Sequence, residues 1–212
     1  MILRPNHIRP TVRDITDLEE DQRMAWQTRR RPHRHPGGRA AALVLATGAL
    51  VLTPATANAQ PFGPGACSNA CYYADNSNHT FFYNGLTVGD VSAMEFARST
   101  RLEATDMTTD LFQSANNDTD VVTYDDTYPS SPWAAWWGCD VLVSGSSTKC
   151  NRGHITINLR FGTATFPLTC QEVGHSVGLD HSLLTGSCMY QNSDVAGSDF
   201  DTHDKAHING HY

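Results

Sequence analysis

The sequence predicts an α+β domain preceded by an export segment. Three observations carry this reading: apolar positions at helical spacing over 90–113, two alternating apolar stretches at 139–145 and 153–161, and a helix opened by Pro167. Helix, strands, helix and then an irregular carboxy-terminal part is the order of an α+β chain, since strands and helices are grouped rather than strictly alternated.

The chain has 212 residues, and its first 59 read as processing sequence. Arg29, Arg30, Arg31, Arg34 and Arg39 precede an apolar run from Ala40 to Leu52, and Ala57-Asn58-Ala59 fits the small-residue cleavage pattern, which places the expected mature start at Gln60. Met24 is a second candidate start. The thirteen-residue run falls short of the roughly 20 residues that a membrane-spanning helix needs, so a cleaved secretory signal is expected and no membrane span in the mature chain. The predicted domains are therefore 1–59, extension and signal, and 60–212, a secreted domain.

Charge narrows the partners. The segment 1–59 removes nine of fifteen basic residues but only five of twenty-two acidic ones, so 60–212 is strongly acidic. Nucleic acid is excluded as an expected partner, because phosphate binding needs a basic surface. All six cysteines, Cys67, Cys71, Cys139, Cys150, Cys170 and Cys188, lie in 60–212, and an even count in an exported chain predicts disulfides.

Residues 60–80 are rich in Gly, Pro, Asn and Ser and read as a loop-rich start, in which Cys67 and Cys71 offer a local bridge. One long helix is expected from Asp90 to Gln113, with a break near Thr108, because Val91, Met94, Phe96, Ala97, Leu102, Met107, Leu111 and Phe112 approximate its period. The turn cluster Asn116-Asn117-Asp118 leads into VVTYDD, a short strand. Residues 139–145 and 153–161 are the clearest strands, the second placing Ile155, Ile157, Leu159 and Phe161 on one face. Cys139 and Cys150 flank the polar turn between them and are expected to pair. Pro167 suits the first turn of the next helix, which should stop at Gly178.

That helix contains TCQEVGHSVGLDHS, residues 169–182. Residues four apart share a helix face, so Gln171 and His175 point the same way, and Glu172 lies about 100° further round, placed to handle the proton of a metal-held water. Gly178 can turn the chain so that His181 approaches the same ion from another direction, giving three donors and an open position. The spacing from 171 to 181 is that of H-E-x-x-H-x-x-G-x-x-H, and Met189 follows eight residues after His181 in Ser187-Cys188-Met189-Tyr190.

Over roughly 169–190 the chain resembles the catalytic segment of matrixins, a branch of the metzincin zinc peptidases. The resemblance implies a zincin-like single domain with a twisted mixed sheet, a long upstream helix, an active-site helix and a methionine turn. It implies that His175 and His181 ligate zinc with Gln171 in the leading ligand position, that Glu172 is the general base and that Met189 forms the floor under the metal. Gln171 departs from the family pattern, which has histidine there; an amide offers an oxygen but no imidazole nitrogen, and zinc sites are built from His, Cys and carboxylate. A methionine turn under the metal would also bring Cys170 and Cys188 together. The implied activity is that of a secreted monomeric endopeptidase acting on peptide or protein substrates, an extended substrate adding to an exposed sheet edge. The alternative is an inactive peptide-binding or inhibitory module that has lost a zinc ligand.

Other signals read as structure. Trp133, Trp136 and Trp137 are expected to pack beside the disulfide. His79, His154, His203, His207 and His211 are expected as polar surface. Asp118 and Asp120, and Asp199, Asp201 and Asp204, offer the clustered oxygens that Ca2+ favours, but without EF-hand spacing turn chemistry is expected instead.

Overall fold

The computed structural model describes residues 62, 63 and 72–212. The signal segment, Cys67 and Cys71 lie outside them. The described chain is a mixed α/β single domain whose sheet is mostly parallel.

Its elements in order are β1 (Tyr73–Ala74), β2 (Asn78–Tyr83), α1 (Val88–Glu95), β3 (Thr108–Phe112), β4 (Val121–Asp126), β5 (Ala135–Leu142), β6 (Lys149–Asn158), α2 (Phe166–Ser176) and α3 (Thr202–His211). Spatially the strands run β3, β2, β4, β6, β5, all neighbours parallel except β5 on β6, and β1 pairs in parallel with the first two residues of β6. Parallel neighbours need crossover connections, and α1 supplies one between β2 and β3. The β5–β6 turn is a hairpin closed by the expected Cys139–Cys150 bridge, with Cα atoms 5.8 Å apart.

The expected long helix is corrected here. α1 ends at Glu95, runs on as a wider π turn over Phe96–Leu102, and gives way to the edge strand β3. The β-branched pair Thr108-Thr109 favours extended backbone, and β3 can then pair with β2 from Asn78↔Thr108 to Phe82↔Phe112. Arg98 locks the change of direction: it is buried, ion-pairs with Glu95 and donates to Thr109 Oγ1 at 2.6 Å. Met107 is buried, whereas Leu111 faces outward on the edge strand.

Four further elements depart from the expectation. β2 begins inside the stretch expected to be loop, because His79, Thr80 and Phe81 are buried there. β6 stops at Asn158, whose side chain accepts from Arg160 N, so Leu159–Phe161 is a 3₁₀ turn and Phe161 leaves the face it was expected to share with Ile155 and Ile157. The carboxy-terminal part is not irregular: Asp201 and Asp204 form a reciprocal capping box that starts α3. β5 also starts earlier than the alternation suggested, at Ala135, and ends at Leu142.

The core lies between the sheet and the helices. Phe81, Val121, Ile155 and Ile157 from the strands cluster with Met94, Ala97 and Leu102 from the α1 region and with Leu168, Val173 and Val177 from α2. Trp137 joins this core as expected, but Trp136 is 47% exposed, so the tryptophans divide.

Candidate metal centre

The sequence starts α2 firmly. Thr165 caps it by accepting from Leu168 N, Pro167 occupies the first turn, and Thr169 Oγ1 donates to Ala93 O at 2.9 Å, fixing the helix to α1. It ends at Ser176, two residues before Gly178, whose φ of 101° turns the chain as expected. Leu179 N then reaches back to Gly174 O at 3.0 Å, and this bend carries His181 round to face His175.

His175 and His181 meet with their Nε2 atoms 3.2 Å apart. His175 Nδ1 lies 2.8 Å from Leu179 O; a carbonyl only accepts, so Nδ1 carries the proton and the neutral ring presents its Nε2 lone pair to His181. Burial, helped by the charge of His181, keeps that ring neutral, lowering its pKa to about 4. Two nitrogens bound at 2.0–2.1 Å in a tetrahedral shell stand about 3.3 Å apart, so the pair has a spacing that suits zinc.

Gln171, one turn before His175, is only 5% exposed. Its Nε2 donates to Tyr190 O at 2.7 Å, which leaves Oε1 as the atom able to donate a lone pair. Among the described residues no three His, Cys, Asp or Glu side chains are grouped to hold an ion. The two imidazoles fit zinc, and an amide oxygen as third donor would depart from the usual repertoire.

Glu172 is 5% exposed, and burial raises its pKa to about 8, opposed by the Trp137 backbone amide that hydrogen-bonds to it. A carboxyl in that range can hold or release a proton near neutral pH. The contact also places Glu172, and with it α2, beside β5 at the antiparallel rim of the sheet.

Met189 is fully buried. A Cβ at Gly174 would stand 2.2 Å from Met189 Sδ, so the helix passes over the methionine at a distance only glycine permits. Ser187 holds the turn in shape: its Oγ accepts from Met189 N at 2.8 Å and donates to Asp204 Oδ2 on α3 at 2.5 Å. Cys170 and Cys188 are bonded, with Cα atoms 5.8 Å apart, and Ser182 N donates to Met189 O at 2.7 Å. Helix, bend and turn are thus tied at three points.

Sequence reading missed Gly174, the Ser187–Asp204 bond and a buried chain behind α2. Its only signal for the second was the Asp201-x-x-Asp204 cap. In the chain behind α2, His79 is buried, not surface as expected. Ser176 Oγ donates to Val173 O at 2.7 Å and so accepts from His79 Nε2 at 2.9 Å, leaving His79 Nδ1 turned to Asp120 Oδ2 at 3.7 Å. His154 pairs instead with Asp140 at 2.9 Å.

No protein-family model matches the chain, and no curated protein matches it.

Proposed function

We propose that this domain is a secreted, metzincin-like metallopeptidase in which His175, His181 and the amide oxygen of Gln171 hold a zinc ion. The observation that carries the reading is the approach of two imidazole Nε2 atoms to 3.2 Å beside a buried carboxyl, on a helix held to Met189 by a disulfide.

When bound, zinc supplies Lewis acidity, which makes a water more acidic and polarises a peptide carbonyl. The remaining work belongs to the chain. His175 is held in one tautomer by Leu179, so its donor atom is aimed before any ion arrives. Glu172 takes the proton of the attacking water and returns it to the leaving amine, a role suited by a buried carboxyl with a pKa near 8. The Trp137 amide keeps that carboxyl on the β5 side, where a substrate strand added to the sheet edge would lie. Met189 and Gly174 give the helix a close-packed apolar floor.

The test is Glu172→Ala. Cleavage of an unfolded protein substrate should fall by at least about a hundredfold, the usual contribution of a general base, while the near-UV circular dichroism spectrum keeps its wild-type form. A folded variant that cleaves as fast as the wild type refutes the assignment.

A further inference from the structure

α3 carries a second pair of facing imidazoles. His203 and His207 stand four residues apart, so they share one helix face, and their Nε2 atoms are 3.1 Å from each other. The rings meet edge to face with centroids 4.4 Å apart, and Phe62 stacks on His207 at 5.1 Å, which limits the rotation of that ring. Two nitrogens bound to one ion at 2.0–2.1 Å lie about 2.9 Å apart at a right angle and about 3.3 Å apart at a tetrahedral angle, and the observed spacing falls between.

We propose that His203 and His207 form a second site, distinct from the one on α2, that takes a transition ion of the zinc, nickel or copper class. Imidazole nitrogen selects such ions over Ca2+ or Mg2+, which require oxygen shells. The two Nε2 atoms stand at hydrogen-bonding distance, and a cation bound between them would take the place of the proton they share. The described residues bring two nitrogens to this ion, and the rest of its shell remains open to exchangeable ligands such as water.

The site has a structural consequence. An ion spanning 203 and 207 clamps one turn of α3, and the same turn contains Asp204, which anchors Ser187 and through it the turn of Met189. Binding to the folded state alone raises stability. This inference does not depend on the peptidase reading.

The experiment is equilibrium dialysis of the full chain against micromolar Zn2+, comparing wild type, His175→Ala and the double variant His203→Gln/His207→Gln. Two ions per wild-type chain and one in each variant are expected, with the Zn2+-dependent rise in thermal midpoint reduced in the double variant. A double variant that holds as many ions as the wild type, or a His175→Ala protein that holds none, overturns the proposal. One ion in the wild type, kept by His175→Ala and lost by the double variant, supports this site and refutes the one on α2. Should the double variant fail to fold, His207→Gln alone decides: Zn2+ affinity at this site should drop about tenfold or more, since even outer-shell changes cost metal sites roughly 10–100-fold, and unchanged affinity overturns it.

Discussion

In the proposed site Gln171 takes the position of the third ligand, and its geometry gives it a second task. The amide nitrogen is engaged by Tyr190 O, so the side chain ties α2 to the residue after Met189 while its oxygen is left to bind. A neutral amide oxygen is a weaker partner for zinc than imidazole. Gln171→His should therefore tighten Zn2+ binding on the order of tenfold or more, read by competition with a chromogenic chelator; unchanged affinity would show that position 171 does not face the ion. Glu172 makes a complementary point. Burial leaves its carboxyl with a pKa near 8, and the Trp137 amide alone does not bring it back to the ordinary range. Both placements were legible in the sequence, because a helix's period puts Gln171 on the face of His175 and Glu172 about 100° further round.

Among elements, the decisive contact is that of α2 with the turn 187–190. Gly174 has no room for a Cβ against Met189 Sδ and Phe200 Cε1, so Gly174→Ala must displace the Met189 and Phe200 side chains from their packing under the helix. The expected cost is about 1–3 kcal/mol, the range for overpacked cores, measured as a lower urea midpoint; an unchanged midpoint would mean that the helix and turn are not in close contact. The sequence made α2 plain, since Thr165, Pro167 and Gly178 mark its start and end. It made the β5–β6 hairpin plain through alternation and two cysteines. It obscured α3, whose only buried apolar residue is Ile208, so no period betrays it and only the Asp201–Asp204 cap does. It also misled over 108–112, where Met107, Leu111 and Phe112 continue a helical spacing by coincidence and the pairing partner β2 lies some thirty residues upstream.

Across the whole molecule, α2 is held from behind as well as from below. His79 on β2 donates to Ser176 on α2 and faces Asp120 just before β4, so sheet and helix meet through a buried polar chain that no local pattern announces. Burial lowers the His79 pKa from 6.5 to about 3, so the unfolded chain takes up a proton that the folded one refuses; this contribution to stability is complete above pH 6.5 and is lost as the pH falls toward 3. Asp120 opposes it. Burial raises its pKa from 3.8 to about 6 against the bonds from Thr80, so between those values the folded chain holds the proton and gains stability as the pH falls. Asp120→Asn removes only the second effect. Relative to its own value at pH 7, the variant should lose on the order of 1–3 kcal/mol more than the wild type by pH 4, seen in urea midpoints at pH 7, 5 and 4; parallel profiles would contradict the assignment. The proposed hydrolysis rests on the facing rings of His175 and His181. The most direct measurement is cleavage of an unfolded protein before chelation, after chelator treatment and after Zn2+ is restored. Loss of cleavage on chelation and its recovery with Zn2+ is the predicted result, and undiminished cleavage by the chelated protein would contradict it.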